Sequence, residues 1–417
     1  MSCLRVSAVC ETHPGLPLSG EELWPPRVFT SGWFFRTICN VFTFEVKKEL
    51  GSARLSELAT PHGVIAGPFF QFVATQAAIR GMVFSEDLRK MGVQIVLANT
   101  YHLHLRPGED VVAGAGGLHG FMKWNFPITT DSGGYQVFSL GQNVKVDDDG
   151  VTFRSPSDGS PHRFTPEGVI QIQRELGADL IMPLDVCTPF GASRDEVARA
   201  VERTYKWACR CRKEYETEEV KEPSQALYGI VQGGVYSDLR REAAERMREL
   251  DFFGYSVGGE LREGNEKSLA EVVPATTRHL PENKPRYLMG YGLPEDIIEA
   301  VRYGVDHFDC VIPIRNARHG HVFYGLDEGE IAKCLSDSSR KVIPEKLYRA
   351  ADMKKGIWAD DYSVFSPGHP VIKEPYSKAY VHHLMRAESP SGVRLAVLHN
   401  IYFYARLMKI IREVIQM

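Results

Sequence analysis

Short apolar runs alternate with amphipathic stretches along most of this 417-residue chain. The runs are HGVIAGPFFQFVA, VQIVLANTYH, FPITTDSGG, ADLIMPLDV, ALYGIVQGG, FGYSVGG, RYLMGYG and HFDCVIPI. Between them lie polar segments of helical period, among them SEDLRKMG, TPEGVIQIQRELG, SRDEVARAVERTYKWACRCRKEY, SDLRREAAERMREL and LPEDIIEAVRYG. Apolar runs bounded by Gly or Pro mark strands buried on both faces, and helices between them make those strands parallel. Eight such units predict an α/β fold, the (β/α)8 barrel, whose functional side chains gather at the C-terminal strand ends. The polar singletons fall at those ends: Asn99, Asp131, Asp185, Gln232, the pair Gly258–Gly259, and Asp309. A doubly wound sheet is the alternative, but it would not bring all these ends to one mouth.

The alternation is missing from residues 1–40, which carry scattered Pro, three cysteines and the cluster GWFFRTIC. Glu11, Glu21 and Glu22 argue against a secretory or mitochondrial address, so the segment reads as a poorly ordered extension. The barrel is expected over 41–323 and a C-terminal subdomain over 324–417. Within the latter, residues 324–375 look irregular, and a long helical tail begins near Ser377.

Composition narrows the class without naming a chemistry. Hydrophobic residues at 43% and charged residues at 24% fit a soluble enzyme. No apolar run approaches the roughly 20 residues of a membrane helix, so a cytoplasmic protein is expected. A net charge of −4 excludes a general coat for nucleic acid, but not a local basic groove. The eight cysteines read as reduced thiols, and the CxC of Cys209 and Cys211 as unpaired surface thiols.

Candidate chemistry centres on two acids. Asp309 ends the last apolar run and is followed by a Pro and by Arg315, Arg318 and His319 of RNARHG. Asp131 ends the third run and opens into DSGGYQVF, where glycines let backbone approach a ligand and Tyr135 can lie against a ring. Paired carboxylates from distant strands suit attack at an anomeric carbon, one acid attacking and the other moving protons. Asp185, Gln232 and the backbone of GYSVGG supply an acid, an amide and N–H donors that can read the edge of a guanine. The arginines can hold a phosphate backbone over the mouth. No GxGxxG opens a βα unit and no Walker GKS or GKT occurs. His102 and His104 form an HxH at strand-like spacing, read as packing or base contact rather than metal binding.

DSGGYQVFSL, LDVCTPF, GIVQGGVYSDLR, MGYG and FDCVIPIRNARHGHVF, in this order, resemble the tRNA-guanine transglycosylase family over roughly residues 41–417. The resemblance implies a barrel enzyme that exchanges the wobble guanine of certain tRNAs for a 7-deazaguanine base by a ping-pong route. It implies Asp309 as the nucleophile, Asp131 as the general acid/base, and no cofactor for catalysis. Asp185, Gln232, Gly259 and Ser132 would bind the base edge, Tyr135 and Met289 its faces, and Arg315 and Arg318 the anticodon loop. A homodimer is the usual family state.

Two departures stand out. The family's structural zinc uses CxCxxC and a later His. His399 matches that His, but SPGHPVIKEPYS holds no cysteine. His369, Val371 and Glu374, or Gly368, Pro370 and Lys373, stand in their places, so zinc is expected to be weak or absent and apolar packing to replace it. An insertion at Asp327–Lys346 lies close by in the chain. The second departure follows Gly259: Glu260-Leu261-Arg262-Glu263-Gly264 replaces the bacterial Leu-Ala-Val-Gly-Glu, and Glu260 and Glu263 are expected to favour a base with a cationic arm. A non-catalytic tRNA-binding partner subunit is the rival reading, opposed by retention of both acids. A glycoside hydrolase lacks sugar-binding aromatics and leaves RNARHG without a role.

Overall fold

The computed structural model describes residues 42–140, 142–217, 224–260, 269–337, 343–344 and 347–417. They belong to one compact unit spanning Asn40–Met417. The expectation for residues 1–40 therefore lies outside the described residues.

Three antiparallel strands come first: β1 (Thr43–Leu50), β2 (Ala53–Thr60) and β3 (Gly63–Gly67). The barrel opens with β4 (Phe69–Val73), β5 (Val96–Ala98) and β6 (Ile128–Thr130). A three-stranded antiparallel excursion follows, made of β7 (Gln142–Val146), β8 (Val151–Arg154) and β9 (Pro161–Phe164). The barrel resumes with β10 (Leu180–Ile181), β11 (Ala226–Val231), β12 (Gly254–Val257), β13 (Arg286–Leu288) and β14 (His307–Cys310). All eight pair in parallel with their neighbours in chain order. β14 closes on β4, with Asp309 opposite Gln71. This is the (β/α)8 barrel that the pattern predicts. Strands such as β11 (ALYGIV) and β12 (GYSV) are buried at every position, which is why they read as continuous apolar runs.

Beyond the barrel, β15 (His321–Tyr324) pairs antiparallel with β16 (Arg349–Asp352). The terminal helix Pro390–Gln416 lies against both the barrel wall and this hairpin. Asn400 ties them together: its amide donates to Pro313 O at 2.9 Å and His321 O at 3.1 Å, and accepts from Phe323 N at 3.0 Å. Tyr404 donates to Gly292 O, and Arg412 to Pro68 O at 2.8 Å. The helix thus braces the loops after β13 and β14, which line the mouth.

Several expectations change. The run HGVIAGPFFQFVA is two strands. Gly63–Gly67 leaves Val64 62% exposed in the hairpin, whereas Phe69–Val73 is wholly buried, and Pro68 separates them. The HxH lies on a helix, Thr100–Leu105, because Asn99 caps it by accepting from His102 N at 3.1 Å. Cys211 is buried rather than at the surface: on helix Arg194–Tyr215 it faces Pro166 O, while Cys209 is half-buried. The stretch after 324 holds the helix Glu328–Ser336 as well as β16. The tail is two helices, Lys378–Arg386 and Pro390–Gln416, interrupted where Glu388 takes a positive φ of 53° before Ser389-Pro390.

Candidate active site

A cavity of about 580 Å³ opens at the C-terminal ends of the barrel strands. Asp131, Ser132, Tyr135, Asp185, Gln232, Gly259, Met289, Asp309 and Arg315 all line it. Nine residues singled out from the sequence therefore meet in one place. Arg318 sits one helical turn after Arg315, on helix Ile312–Arg318, in an adjoining groove. His399 lies elsewhere, on the terminal helix.

The two acids face the same space in different settings. Asp309 Oδ1 accepts from the Tyr287 hydroxyl at 2.6 Å and from Gly290 N at 2.8 Å. Among the described residues no cation pairs with it. Burial raises its pKa above the ordinary carboxylate value, against the pull of those two donors. Tyr287 is itself held from below: its ring stacks on His307 at 4.5 Å, and His307 stacks on Phe69 at 4.7 Å. His307 Nδ1 meets Gln71 Nε2 at 3.1 Å, and burial pushes its pKa down to about 3, so the imidazole is neutral.

Asp131 receives three donors: Thr100 N at 3.0 Å, Gly133 N at 3.1 Å, and the Asn99 side-chain amide. Gly133 has φ +74°, and a Cβ there would come within 2.9 Å of Tyr101 N, so only glycine lets the chain turn so tightly. Burial and the nearby charge of Asp309 nevertheless lift Asp131 to about 7. A carboxyl raised towards neutrality is suited both to give and to take a proton.

Beside the acids is a flat polar slot. Asp185 is buried, accepting from Ser132 Oγ at 3.0 Å and from Gln232 Nε2 at 2.7 Å. Burial raises its pKa too. Gln232 Oε1 is buried without a partner. The sequence reading had Gln232 donating outward, but here the amide and the acid bond to each other. A ligand with adjacent N–H and C=O groups would replace that internal bond with two of its own. Gly258 N–H is not free either: it donates to Val231 O at 3.0 Å within the ladder, leaving Gly259, at φ +107°, to face the cavity. Arg240, wholly buried, pins these loops by donating to Gly234 O, Val231 O and Gly258 O at 2.8–2.9 Å. At the rim, Glu260 accepts from Tyr135 OH at 3.2 Å and Phe190 N at 3.1 Å. Glu263 lies outside the described residues.

Sequence reasoning missed several residues here. Tyr287 and Arg240 gave no signal, because their roles depend on neighbours distant in the chain. Arg80, also without a signal, joins Arg315, Arg318 and His102, the last read from the sequence as packing or base contact, in the adjoining groove of about 260 Å³. Burial and the charge of Arg80 hold His102 below its ordinary pKa, so the groove carries guanidinium charge beside a neutral imidazole.

The place of the family's zinc does not fit a metal. His399 Nε2 donates to Phe323 O at 2.7 Å and its Nδ1 meets Ser366 Oγ at 2.9 Å, while burial pushes its pKa down to about 4. His369 donates through Nε2 to Leu398 O at 3.1 Å, and its Nδ1 accepts from Val371 N and Ile372 N at 3.0 Å. Both imidazoles have both nitrogens occupied, and no cysteine stands in this stretch of the sequence. Hydrogen bonds, and not apolar packing alone, knit the region.

A family model described as queuine tRNA-ribosyltransferase matches residues 49–417. A queuine tRNA-ribosyltransferase of Thermoanaerobacter sp. (strain X514) is 47% identical over 367 residues, covering 88% of this chain and 90% of the relative. One from Caldanaerobacter subterraneus subsp. tengcongensis is 47% identical over 374 residues, 89% of this chain and 92% of the relative. One from Clostridium perfringens (strain 13 / Type A) is 44% identical over 376 residues, 89% and 93%. With this match and a barrel mouth carrying paired acids, the chain belongs to the queuine tRNA-ribosyltransferase family of tRNA-guanine pentosyltransferases.

Proposed function

We propose that this protein exchanges the wobble guanine of a tRNA anticodon for a 7-deazaguanine base through a covalent ribosyl–aspartate intermediate. The observation that carries the reading is the opening of Asp131 and Asp309 into one cavity beside the Asp185–Gln232 slot. Guanine enters the slot by giving its ring N–H and exocyclic amine to Asp185 and receiving donors from Gln232 and Gly259 on its carbonyl oxygen. Tyr135 and Met289 cover its faces. The Asp309 carboxylate attacks the ribose C1′, the C1′–N9 bond breaks, and Asp131 gives its proton to the departing guanine. The incoming base loses its N9 proton to Asp131, attacks C1′ and displaces Asp309. Both acids end as they began.

Arg80, Arg315 and Arg318 hold the anticodon-loop phosphates beside the mouth. On this reading the protein works in the cytoplasm, where its tRNA is. A homodimer and the lack of a family-type zinc belong to the same reading, the first resting on the resemblance alone. Glu260 at the rim suits a base with a cationic arm, so Glu260→Gln is expected to weaken the aminomethyl base at least about tenfold and guanine little; equal losses would remove that assignment. The exchange itself is tested by loading tRNA with labelled wobble guanine and adding unlabelled base. Release of label at one equivalent per tRNA supports the reading, and retention of label with correctly folded enzyme refutes it.

A further inference from the structure

At the opposite, N-terminal end of the barrel, two histidines face one buried carboxylate. Asp179 lies one residue before β10, its side chain wholly shielded, and Oδ2 accepts from Ile128 N at 2.8 Å at the start of β6. His62, in the turn between β2 and β3, places Nδ1 2.7 Å from Asp179 Oδ1. His119, on helix Gly117–Met122, places Nε2 3.3 Å from Oδ2. The ligand atoms of the three side chains lie within 4.8 Å of one another.

The tautomer of His119 makes this arrangement informative. Its Nδ1 is 2.9 Å from the Trp124 carbonyl oxygen, which can only accept, so Nδ1 carries a hydrogen and Nε2 is the nitrogen turned to Asp179. A backbone carbonyl orienting the far nitrogen is the usual support of a metal-binding imidazole. Nε2 faces the Asp179 carboxylate at 3.3 Å, a gap that a proton shared as a His–Asp ion pair or a bound metal ion can fill. A metal ion would lie between the two groups, off the line joining them. For bonds of about 2.0–2.1 Å, neighbouring ligands of a tetrahedral ion sit about 3.3 Å apart, the separation found here.

We propose that His62, His119 and Asp179 form a divalent transition-metal site, zinc being the ion their two nitrogens and one oxygen suit, with water completing the shell. It is separate from the catalytic mouth and from the region of His399. In the metal-free arrangement the two rings stack at 3.5 Å with planes 15° apart. A shared ion cannot lie in the plane of both parallel rings, so binding swings His62 off the stack. His62 is free to do so on its turn, its side chain 37% exposed, whereas Trp124 holds His119. The ion would tie the β2–β3 turn, a helix and the start of β10 into one clasp, stabilising the folded state by mass action.

The test uses the full-length protein without an affinity tag, stripped with chelator and titrated with Co²⁺ as a spectroscopic stand-in. One equivalent is expected to bind, giving visible d–d absorption without a thiolate charge-transfer band and raising the melting temperature. His62→Gln and His119→Gln should each lower affinity at least tenfold, while His399→Gln leaves it unchanged. Absence of a saturable equivalent, a thiolate band, or wild-type affinity in His62→Gln overturns the site. His62 lies on a partly exposed turn, so its variant remains decisive even where His119→Gln fails to fold.

Discussion

The Tyr287 hydroxyl donates to Asp309 Oδ1 at 2.6 Å and does two things there. It favours the charged carboxylate, and it fixes which oxygen points away from the attack. Tyr287→Phe removes one hydrogen bond to a charged group, about 1.5–3 kcal/mol, so adduct formation should slow by roughly 10–100-fold. A single-turnover rate measured at saturating tRNA checks this. Asp131 supplies the pH dependence. In the proposed exchange its acid form gives the proton to the departing guanine, and that form is lost as pH rises through about 7. The rate of guanine release under subsaturating tRNA should therefore fall about tenfold per pH unit on the alkaline side. A rate that stays flat to pH ~9 would remove Asp131 from that role. Both acids were legible in the sequence because each ends an apolar run, where a buried carboxylate needs a reason. Tyr287 was not legible: a Tyr inside RYLMGYG looks like any strand aromatic, and only the barrel brings it beneath Asp309.

Among the elements, the paired loops after β11 and β12 depend on one buried side chain. Arg240 donates to three carbonyls, of which Val231 O also accepts from Gly258 N and the other two rely on the guanidinium, and burial holds its pKa down at about 10. Arg240→Met fills the volume but strands Gly234 O and Gly258 O at about 1 kcal/mol or more each, so ~2 kcal/mol of stability should be lost. Urea denaturation reads this as a lower midpoint at unchanged slope, and the loosened Gln232 loop should raise the KM for base more than it lowers kcat. The alternation of runs and helices was enough to place the eight barrel strands, since parallel strands buried on both faces leave a plain signature. The antiparallel pieces were harder to see. β1, β3 and β7–β9 are half-exposed or short, and their alternation is diluted by charged residues such as those of TFEVKKEL. The HxH misled for a related reason: alternate residues share a face on a strand but point apart on a helix, and the Asn99 cap makes this segment a helix.

For the molecule as a whole, a net charge of −4 coexists with a local groove of three arginines next to the mouth. Binding of tRNA should then depend on salt through those few contacts and not through bulk charge. Arg80→Ala, Arg315→Ala and Arg318→Ala are each expected to lower the slope of log K against log salt by about 1; unchanged slopes would place the RNA elsewhere. The terminal helix braces the helix that carries Arg315 and Arg318 through Asn400, bonded to Pro313 O, and the main cavity through Tyr404, bonded to Gly292 O. The most direct test of the whole account is a covalent trap. Wild-type protein mixed with a tRNA carrying wobble guanine and then denatured should retain one RNA per active chain, released when a 7-deazaguanine base is added before denaturation. Asp309→Asn should retain none while still binding the tRNA. An adduct that survives in Asp309→Asn, or none in the wild type, would contradict the central claim.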